Sequence, residues 1–355
     1  MSGKKVKMAI IGFGGMANHH LNNLRAYVEE IEVAGAYDIR DEAKANIAGR
    51  GLKSYANPDE LYNDKDIDLV LIATPNDMHK PYAIACLNAG KHVISEKPVT
   101  LNRAELLEIL DVSEKTGKLF TVHHNRRWDS DYLTVKNAIQ KGVLNKPYII
   151  ESRVQGSRRS LHGWRGYKAN GGGMVLDWGI HLIDQMLYWF PEKVVQIDAH
   201  LHQVFAPEVD DSFTAMFRFE SGLTYIVNIG MNSFIVQPRW HISCEDGTAR
   251  VDNWDVEGKI VKLSDPSALE WAEDIVYTSA GPTRSMAPRP KETTVEVPFD
   301  IVKVNYWPIF YGNVAGAIRG EAELIVKPAE LVRLMGVIDA VFESDAKRQS
   351  VACAL

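Results

Sequence analysis

Cysteine and long apolar runs are both scarce in this chain. Its three cysteines, Cys86, Cys244 and Cys353, lie far apart among 355 residues. An odd and scattered set does not suit a disulfide framework or a metal knuckle, so we expect free thiols in a reducing compartment. No apolar run reaches the roughly 18 residues that a membrane span needs, so no membrane association is expected.

Positive charge is also in short supply. Lys plus Arg number 40 and Asp plus Glu number 46, which gives a formal net charge of −6. A mildly acidic chain without a long basic run is a poor binder of nucleic acids and anionic membranes. The basic and apolar start, Lys4 to Ile11, breaks into glycines without a clean cleavage site. We therefore predict no secretory signal and a cytoplasmic protein.

Residues 1–124 alternate between strand and helix patterns. Short apolar runs such as Val6 to Ile11 and Leu69 to Ala73 are typical of strands buried on both faces, and segments of helical spacing follow them. Repeated β–α–β units predict an α/β domain with a doubly wound parallel sheet, the Rossmann arrangement.

The pattern changes in residues 125–355. Alternating apolar residues and the Ser221-Gly222 turn predict an α+β domain with an open, mostly antiparallel sheet. Prolines indicate that residues 264–292 form an irregular loop or insertion. We expect a glycine run at 171–173 to open a helix, and a final amphipathic helix, at about 328–342, to pack back on the first domain.

A glycine turn follows the first strand directly. The motif G-x-G-x-x-A is matched by Gly12-Phe13-Gly14-Gly15-Met16-Ala17. Such a turn lets the backbone approach a pyrophosphate at a helix N-terminus. Asp38, at the end of the second strand, can accept hydrogen bonds from a ribose and would repel a 2′-phosphate. The motif therefore predicts NAD, although Arg40 beside Ile39 is the residue type that accommodates NADP.

Two further segments carry candidate catalytic groups. Glu96-Lys97-Pro98 ends a parallel strand, at the sheet edge where ligands bind, and Lys97 can stabilise an alkoxide there. Asp177 and His181 are spaced i, i+4 after the glycine run, so a carboxylate can orient an imidazole that accepts a proton near neutral pH. The alternative interpretations are a surface lysine, a capping aspartate and a hydrogen-bonded core histidine. We interpret the glycine run as a segment whose main chain can approach a ligand closely.

Together these motifs resemble the glucose-fructose oxidoreductase / inositol dehydrogenase / MocA family over essentially the whole chain. The resemblance rests on the glycine turn, on Ala73-Thr74-Pro75-Asn76 with His79, on Ala89 to Pro98, and on the G-G-G-x-x-x-D-x-G-x-H segment. It implies a two-domain NAD(P)-dependent oxidoreductase, with residues 1–124 binding the nucleotide and 125–355 binding substrate. It also implies a homo-oligomer, a dimer or tetramer, formed through the open sheet.

The resemblance also assigns residues to roles. Lys97, Asp177 and His181 match the catalytic set. Positions near the cofactor, besides the glycine turn and Asp38 to Arg40, are Thr74, Asn76, His79, Glu96, Lys97, Asn125, Trp164 and Arg165. Candidate substrate-binding residues are Lys97, Arg126, Trp128, Asp177 and His181.

The implied reaction is the reversible oxidation of a secondary hydroxyl of a sugar, cyclitol or glycoside to a ketone. His181 would take the proton, Lys97 would stabilise the alkoxide and Asp177 would orient His181. Two alternatives remain: an enzyme that cleaves glycosides through transient oxidation and elimination, and a non-catalytic nucleotide-binding sensor. No metal site is predicted, because the pairs His19-His20 and His123-His124 lack the spacing of a helical site.

Overall fold

The structure is a computed structural model that describes residues 5–265, 275–284 and 291–355. Its first part alternates strands with helices. The elements are β1 (Val6–Ile11), α1 (Gly15–Tyr27), β2 (Ile31–Tyr37), α2 (Asp41–Gly49), β3 (Lys53–Ser54), α3 (Pro58–Asn63), β4 (Leu69–Ile72), α4 (His79–Asn88), β5 (His92–Ser95), α5 (Arg103–Thr116) and β6 (Phe120–Val122).

These strands form a six-stranded parallel sheet in the order β3-β2-β1-β4-β5-β6. All residues of β4 and nearly all of β1 are buried, because helices cover both faces of the sheet. The order reverses between β1 and β4, which is the point where ligands bind in such sheets. The Rossmann prediction is confirmed.

Within the described residues, the second part contains four α-helices and a larger sheet. Its elements are α6 (Ser130–Gln140), β7 (Pro147–Gln155), α7 (Ile180–Trp189), β8 (Val194–His202), β9 (Ser212–Phe219), β10 (Thr224–Gly230), β11 (Trp240–Cys244), β12 (Gly247–Val251), β13 (Gly258–Leu263), β14 (Ile275–Thr278), β15 (Gly281–Arg284), β16 (Thr294–Val297), α8 (Tyr306–Ile318), α9 (Pro328–Lys347) and β17 (Val351–Ala352).

Nine strands form the larger sheet, in the order β16-β13-β12-β11-β7-β10-β9-β8-β17. Neighbouring strands are antiparallel except β7 and β10, so the sheet is mixed but mostly antiparallel, as predicted. A homo-oligomer formed through this sheet stays a prediction.

Two details of the predicted elements are wrong. Within the segment 264–292, β14 and β15 form a hairpin, and the rest of that segment lies partly outside the described residues. The glycine run opens a π-helical turn over Val175–Gly179 before α7 begins. A π turn carries i→i+5 hydrogen bonds and is common at functional sites.

The C-terminal helices pack back on the first sheet. The Tyr311 hydroxyl of α8 contacts His20 of α1, and the main-chain N–H of Arg103 donates to Asp339 of α9 at 3.2 Å. The Thr121 hydroxyl in β6 donates to the carbonyl of Val326. Residues far apart in the chain therefore complete the surroundings of the first sheet. Within the described residues, no helix is long and apolar enough to cross a membrane.

Candidate active site

The glycine turn has an open surface above it. Gly12 has a φ of +86°, and a Cβ there would lie 2.6 Å from the Ala73 carbonyl oxygen, so only glycine fits. A Cβ on Gly14 or Gly15 would meet nothing within 4 Å. Helix α1 begins at Gly15 without a side-chain cap or an acidic residue in its first turn. Its first N–H groups are therefore available to an anion such as a pyrophosphate.

Asp38 joins the turn to Arg40. Its carboxylate accepts the main-chain N–H of Phe13 at 2.7 Å and, at 2.9 and 3.0 Å, the main-chain N–H and the Nε of Arg40. Burial raises the pKa of Asp38, but the hydrogen bonds from Arg40 and Phe13 outweigh burial and hold that pKa below its usual value. A carboxylate therefore stands at the end of β2.

A cleft of about 570 Å³ lies over the turn and reaches the end of β5. Most of the predicted cofactor-binding residues line it: Gly12, Gly14, Gly15, Met16, Asp38, Ile39, Arg40, Thr74, Asn76, Glu96, Lys97, Trp164 and Arg165. Four predicted residues do not. Phe13 and Ala17 are buried in the core, and His79 is buried with its ring nitrogens 2.7 Å from the Pro98 carbonyl and 3.1 Å from that of Thr74. The fourth predicted residue that does not line the cleft is Asn125.

The sequence interpretation missed other residues that line the cleft. These are Ile11, Tyr37, Ala73, Pro75, Asp77, Met78, Tyr82 and Asn170. The side-chain amide of Asn170 donates to Asp77 at 3.2 Å, which joins the two sides of the cleft. Tyr82 lies one helical turn after Met78, and this i, i+4 spacing is the sequence pattern that could have placed both residues on the same side of the cleft.

Lys97 and Asp177 meet at the end of the cleft. The ammonium of Lys97 donates to the Asp177 carboxylate and to the Asp177 carbonyl, both at 2.8 Å. Arg165 lies 3.3 Å from the other carboxylate oxygen. Burial raises the pKa of Asp177, but Lys97 and Arg165 together lower it below its usual value. Asp177 is therefore an ionised group that holds two cations, and the Lys97–Pro98 peptide bond next to it is cis.

His181 is buried beside this ion pair. Burial first, and then the positive charges of Lys97 and Arg126, hold the pKa of His181 well below its usual value. Its Nδ1 has no hydrogen-bond partner among the described residues. The imidazole is therefore neutral near pH 7.

Asp177 does not orient His181 as the spacing predicted. Within the described residues no hydrogen bond joins the two side chains, because the Asp177 carboxylate is held by Lys97 and Arg165. Two cations attract a carboxylate more strongly than a neutral imidazole does. The i, i+4 interpretation also assumed an α-helix, and Asp177 lies in the π turn.

The glycine run packs against protein. A Cβ on Gly172 would overlap the carbonyl oxygen of Arg165, and a Cβ on Gly173 would overlap the carboxylate of Asp210. Asp210 in turn accepts the N–H of Val175 at 2.7 Å, at the start of the π turn. The prediction that the run approaches a ligand is therefore not supported at these positions, where the glycines let the main chain pack tightly.

Glu96 lies at the centre of a buried polar cluster. Its Oε1 is 2.7 Å from Nε2 of His20 and 2.9 Å from Nδ1 of His123. The three ligand-type atoms lie within 4.8 Å of one another. Adjacent spacing in the sequence does not reveal this combination, because His20 and His123 each come from a different histidine pair.

The predicted substrate residues divide between two places. Trp128 stacks on Tyr306 with ring centroids 5.7 Å apart, so it belongs to an aromatic core. Arg126 has its guanidinium 4.2 Å from the ring centroid of Trp178 and 5.2 Å from that of Trp254. Trp178 also contacts the His181 ring, at 5.9 Å between centroids. Arg126 therefore lies next to His181 through Trp178, whereas Trp128 packs among the aromatic residues of α8.

The buried Arg127 forms ion pairs next to the site. Its guanidinium donates to both carboxylate oxygens of Asp184 in α7, at 2.7 and 2.8 Å, and to Glu330 in α9 at 2.8 Å. This buried bidentate pair ties the helix of His181 to the C-terminal helix.

Comparisons with known proteins agree with this geometry. A family profile described as "Oxidoreductase family, NAD-binding Rossmann fold" (GFO_IDH_MocA) matches residues 6–124. A second profile, "GFO/IDH/MocA C-terminal domain", matches residues 132–250. The chain belongs to the GFO/IDH/MocA oxidoreductase family. It is accordingly an oxidoreductase with an NAD(P)-binding Rossmann domain, as the sequence resemblance predicted.

Several known proteins are similar to the chain over almost its full length. The crystal structure of an NAD-binding protein from Listeria innocua is 38% identical, covers 99% of this chain and 100% of that one, and superposes with a TM-score of 0.93. The uncharacterized oxidoreductase YdgJ of Escherichia coli is 28% identical over 98% of both chains. The scyllo-inositol 2-dehydrogenase (NADP(+)) IolW of Bacillus subtilis is 26% identical over 98% of this chain and 95% of its own.

Proposed function

We propose that this oxidoreductase oxidises a secondary hydroxyl of a cyclitol, sugar or glycoside to a ketone. The observation that supports the proposal is the contact of Lys97, which lines the nucleotide cleft, with Asp177, next to the buried His181. An alcohol bound there would lie between an ammonium group and a neutral imidazole. The inositol dehydrogenases among the relatives support the choice of a polyol.

His181 would take the proton of the hydroxyl. Its low pKa keeps the ring neutral at pH 7, which is the form that a general base requires. Lys97 would hold the oxygen and stabilise the negative charge that develops on it. We propose that Asp177 acts on Lys97, by fixing its ammonium group at 2.8 Å, rather than on His181. A nicotinamide cofactor, when bound, would supply the carbon that accepts the hydride.

The open surface above Gly14 and Gly15 fits a pyrophosphate, and the Asp38 carboxylate fits an adenosine ribose. We propose NAD as the cofactor. Asp38 would repel a 2′-phosphate, and Arg40 is engaged by Asp38 through two guanidinium nitrogens, at 3.0 and 3.1 Å. The name of IolW includes NADP(+), so both cofactors belong in the test.

The test is a screen for NADH and NADPH formation at 340 nm with inositol isomers, aldoses, anhydrosugars and glycosides. We expect steady NADH formation with at least one polyol, and a higher kcat/KM with NAD than with NADP. Release of a sugar without NADH formation would instead support the glycoside-cleaving reaction. Absence of turnover with every compound would refute the proposal.

A further inference from the structure

The hydrogen bonds around Glu96 fit an arrangement in which two histidine rings donate to its carboxylate. The Tyr311 hydroxyl lies 2.5 Å from Nδ1 of His20, and a hydroxyl facing a ring nitrogen donates to it when that nitrogen carries no proton. Nε2 of His20 then carries the proton and donates to Glu96 at 2.7 Å. Nδ1 of His123 donates to the same carboxylate oxygen at 2.9 Å. Both histidines donate to the Glu96 carboxylate.

The donors compensate for the burial of a charge. Glu96 is 6% exposed, and His20 and His123 are almost completely buried. An ionised carboxylate removed from water is costly unless hydrogen bonds replace its hydration. Burial raises the pKa of Glu96, but the two imidazoles outweigh burial and hold the pKa well below its usual value. The cluster therefore maintains a buried carboxylate.

The other oxygen of this carboxylate faces the proposed catalytic residue. Oε2 of Glu96 accepts the main-chain N–H of Lys97 at 3.2 Å. The side chain of Lys97 is fixed at its far end by Asp177, at 2.8 Å. Lys97 is therefore held at both ends, and the contact at its main chain depends on the orientation of Glu96.

The cluster also spans several parts of the fold. His20 belongs to α1, whose first turn faces the nucleotide cleft, while His123 follows β6 and Tyr311 belongs to α8. We propose that His20 and His123 are positioning residues, which hold the Glu96 carboxylate and through it the main chain of Lys97 for the oxidation of the alcohol. This inference rests on the proposed function of Lys97.

A metal ion is the competing explanation, because two histidines and a glutamate can ligate zinc. The spacing favours hydrogen bonds. Ligands at about 2.0–2.1 Å from a tetrahedral zinc lie about 3.3 Å from one another, whereas both nitrogens lie within 2.9 Å of one oxygen of Glu96.

The experiment compares paired substitutions in the full chain. His20→Leu and His123→Leu remove the donors, whereas His20→Gln and His123→Asn keep an N–H near the position of the lost nitrogen. Tyr311→Phe removes only the hydroxyl. His19→Asn, at the exposed neighbouring position on α1, is the matched control. Each variant is first checked for folding by thermal unfolding, and the Gln, Asn and Phe variants carry the test if a Leu variant does not fold.

Three quantities are measured: kcat with the polyol found in the screen, the Kd for NAD, and the exchange rate of the Lys97 amide by hydrogen–deuterium exchange mass spectrometry. We expect the Leu variants to lose at least tenfold in kcat, to keep the Kd for NAD within threefold, and to exchange the Lys97 amide at least tenfold faster. His20→Gln and His123→Asn should restore most of kcat, Tyr311→Phe should lose about threefold, and His19→Asn should match the wild type.

Amide exchange separates this inference from the proposed function. If the wild type oxidises no polyol while the Leu variants exchange the Lys97 amide faster, the positioning contact is supported and the proposed reaction fails. If kcat stays within twofold and the exchange is unchanged, the inference is overturned. One equivalent of zinc in the purified wild-type chain, measured by mass spectrometry, would also overturn it.

Discussion

Replacing His124 by phenylalanine should make the protein more resistant to acid. His124 is 1% exposed, and neither ring nitrogen has a hydrogen-bond partner among the described residues. Burial is the largest effect on the pKa of His124 and lowers it to about 4. Arg127 and His123 act in the same direction, whereas Asp184 and, more weakly, Glu96 act in the opposite direction. Phenylalanine retains the ring and loses no hydrogen bond.

The sign follows from proton binding. In the unfolded chain this histidine has its usual pKa of 6.5, so between pH 6.5 and pH 4 the unfolded chain binds more protons than the native protein. Stability is therefore lost as the pH falls through that window. Integrating between pH 7.5 and pH 4.5 gives a loss of about 2.5 kcal/mol for this one residue.

The assay is urea unfolding of both proteins at several pH values from 7.5 to 4.5, followed by circular dichroism. We expect the difference in the free energy of unfolding between His124→Phe and the wild type to increase by about 2.5 kcal/mol as the pH falls over this range. Substitution of the exposed His200 by phenylalanine is the matched control. Parallel curves for His124→Phe and the wild type would refute the assignment of a buried, neutral His124.

Three further predictions follow from the site. Lys97→Ala should lower kcat by about 10²–10³ while the Kd for NAD stays near the wild-type value, because the lost donor acts on the developing alkoxide; steady-state kinetics and fluorescence titration check this. Gly172→Ala should destabilise the protein by about 1–3 kcal/mol, because the new Cβ overlaps the main chain of Arg165. Gly156→Ala should not destabilise it, because a Cβ at Gly156 meets nothing within 4 Å. Thermal unfolding of the two variants distinguishes these outcomes. Asp38→Ser should raise the ratio of kcat/KM for NADP to that for NAD at least tenfold, and an unchanged ratio would contradict the role of the carboxylate.

The sequence predicted the first sheet well because its signals are local. A strand such as β4 is apolar at every position, since both of its faces are covered, and a glycine turn must follow β1 directly. The capping of α5 is equally local, because Asn102 accepts the N–H of Glu105 only three residues later. Signals of this kind require no knowledge of the rest of the chain.

The site was predicted less completely because its contacts are remote in sequence. Glu96 meets His20 across 76 residues, and Lys97 meets Asp177 across 80. Spacing along one helix suggested that Asp177 serves His181, whereas long-range attraction to Lys97 decides its orientation. The short strands β12, β13 and β16 were missed for the same reason, since their pairing depends on partners that local periodicity does not reveal.

The contacts of Tyr311 with His20 and of Val326 with Thr121 have a consequence for biosynthesis. The ribosome releases the residues of the first sheet long before α8 and α9 emerge. Until then His20, Thr121 and the apolar surface that α9 covers face water or a chaperone. We therefore expect the nascent nucleotide-binding segment to stay loosely folded until the end of translation, and a fragment ending at residue 124 to aggregate when it is expressed alone.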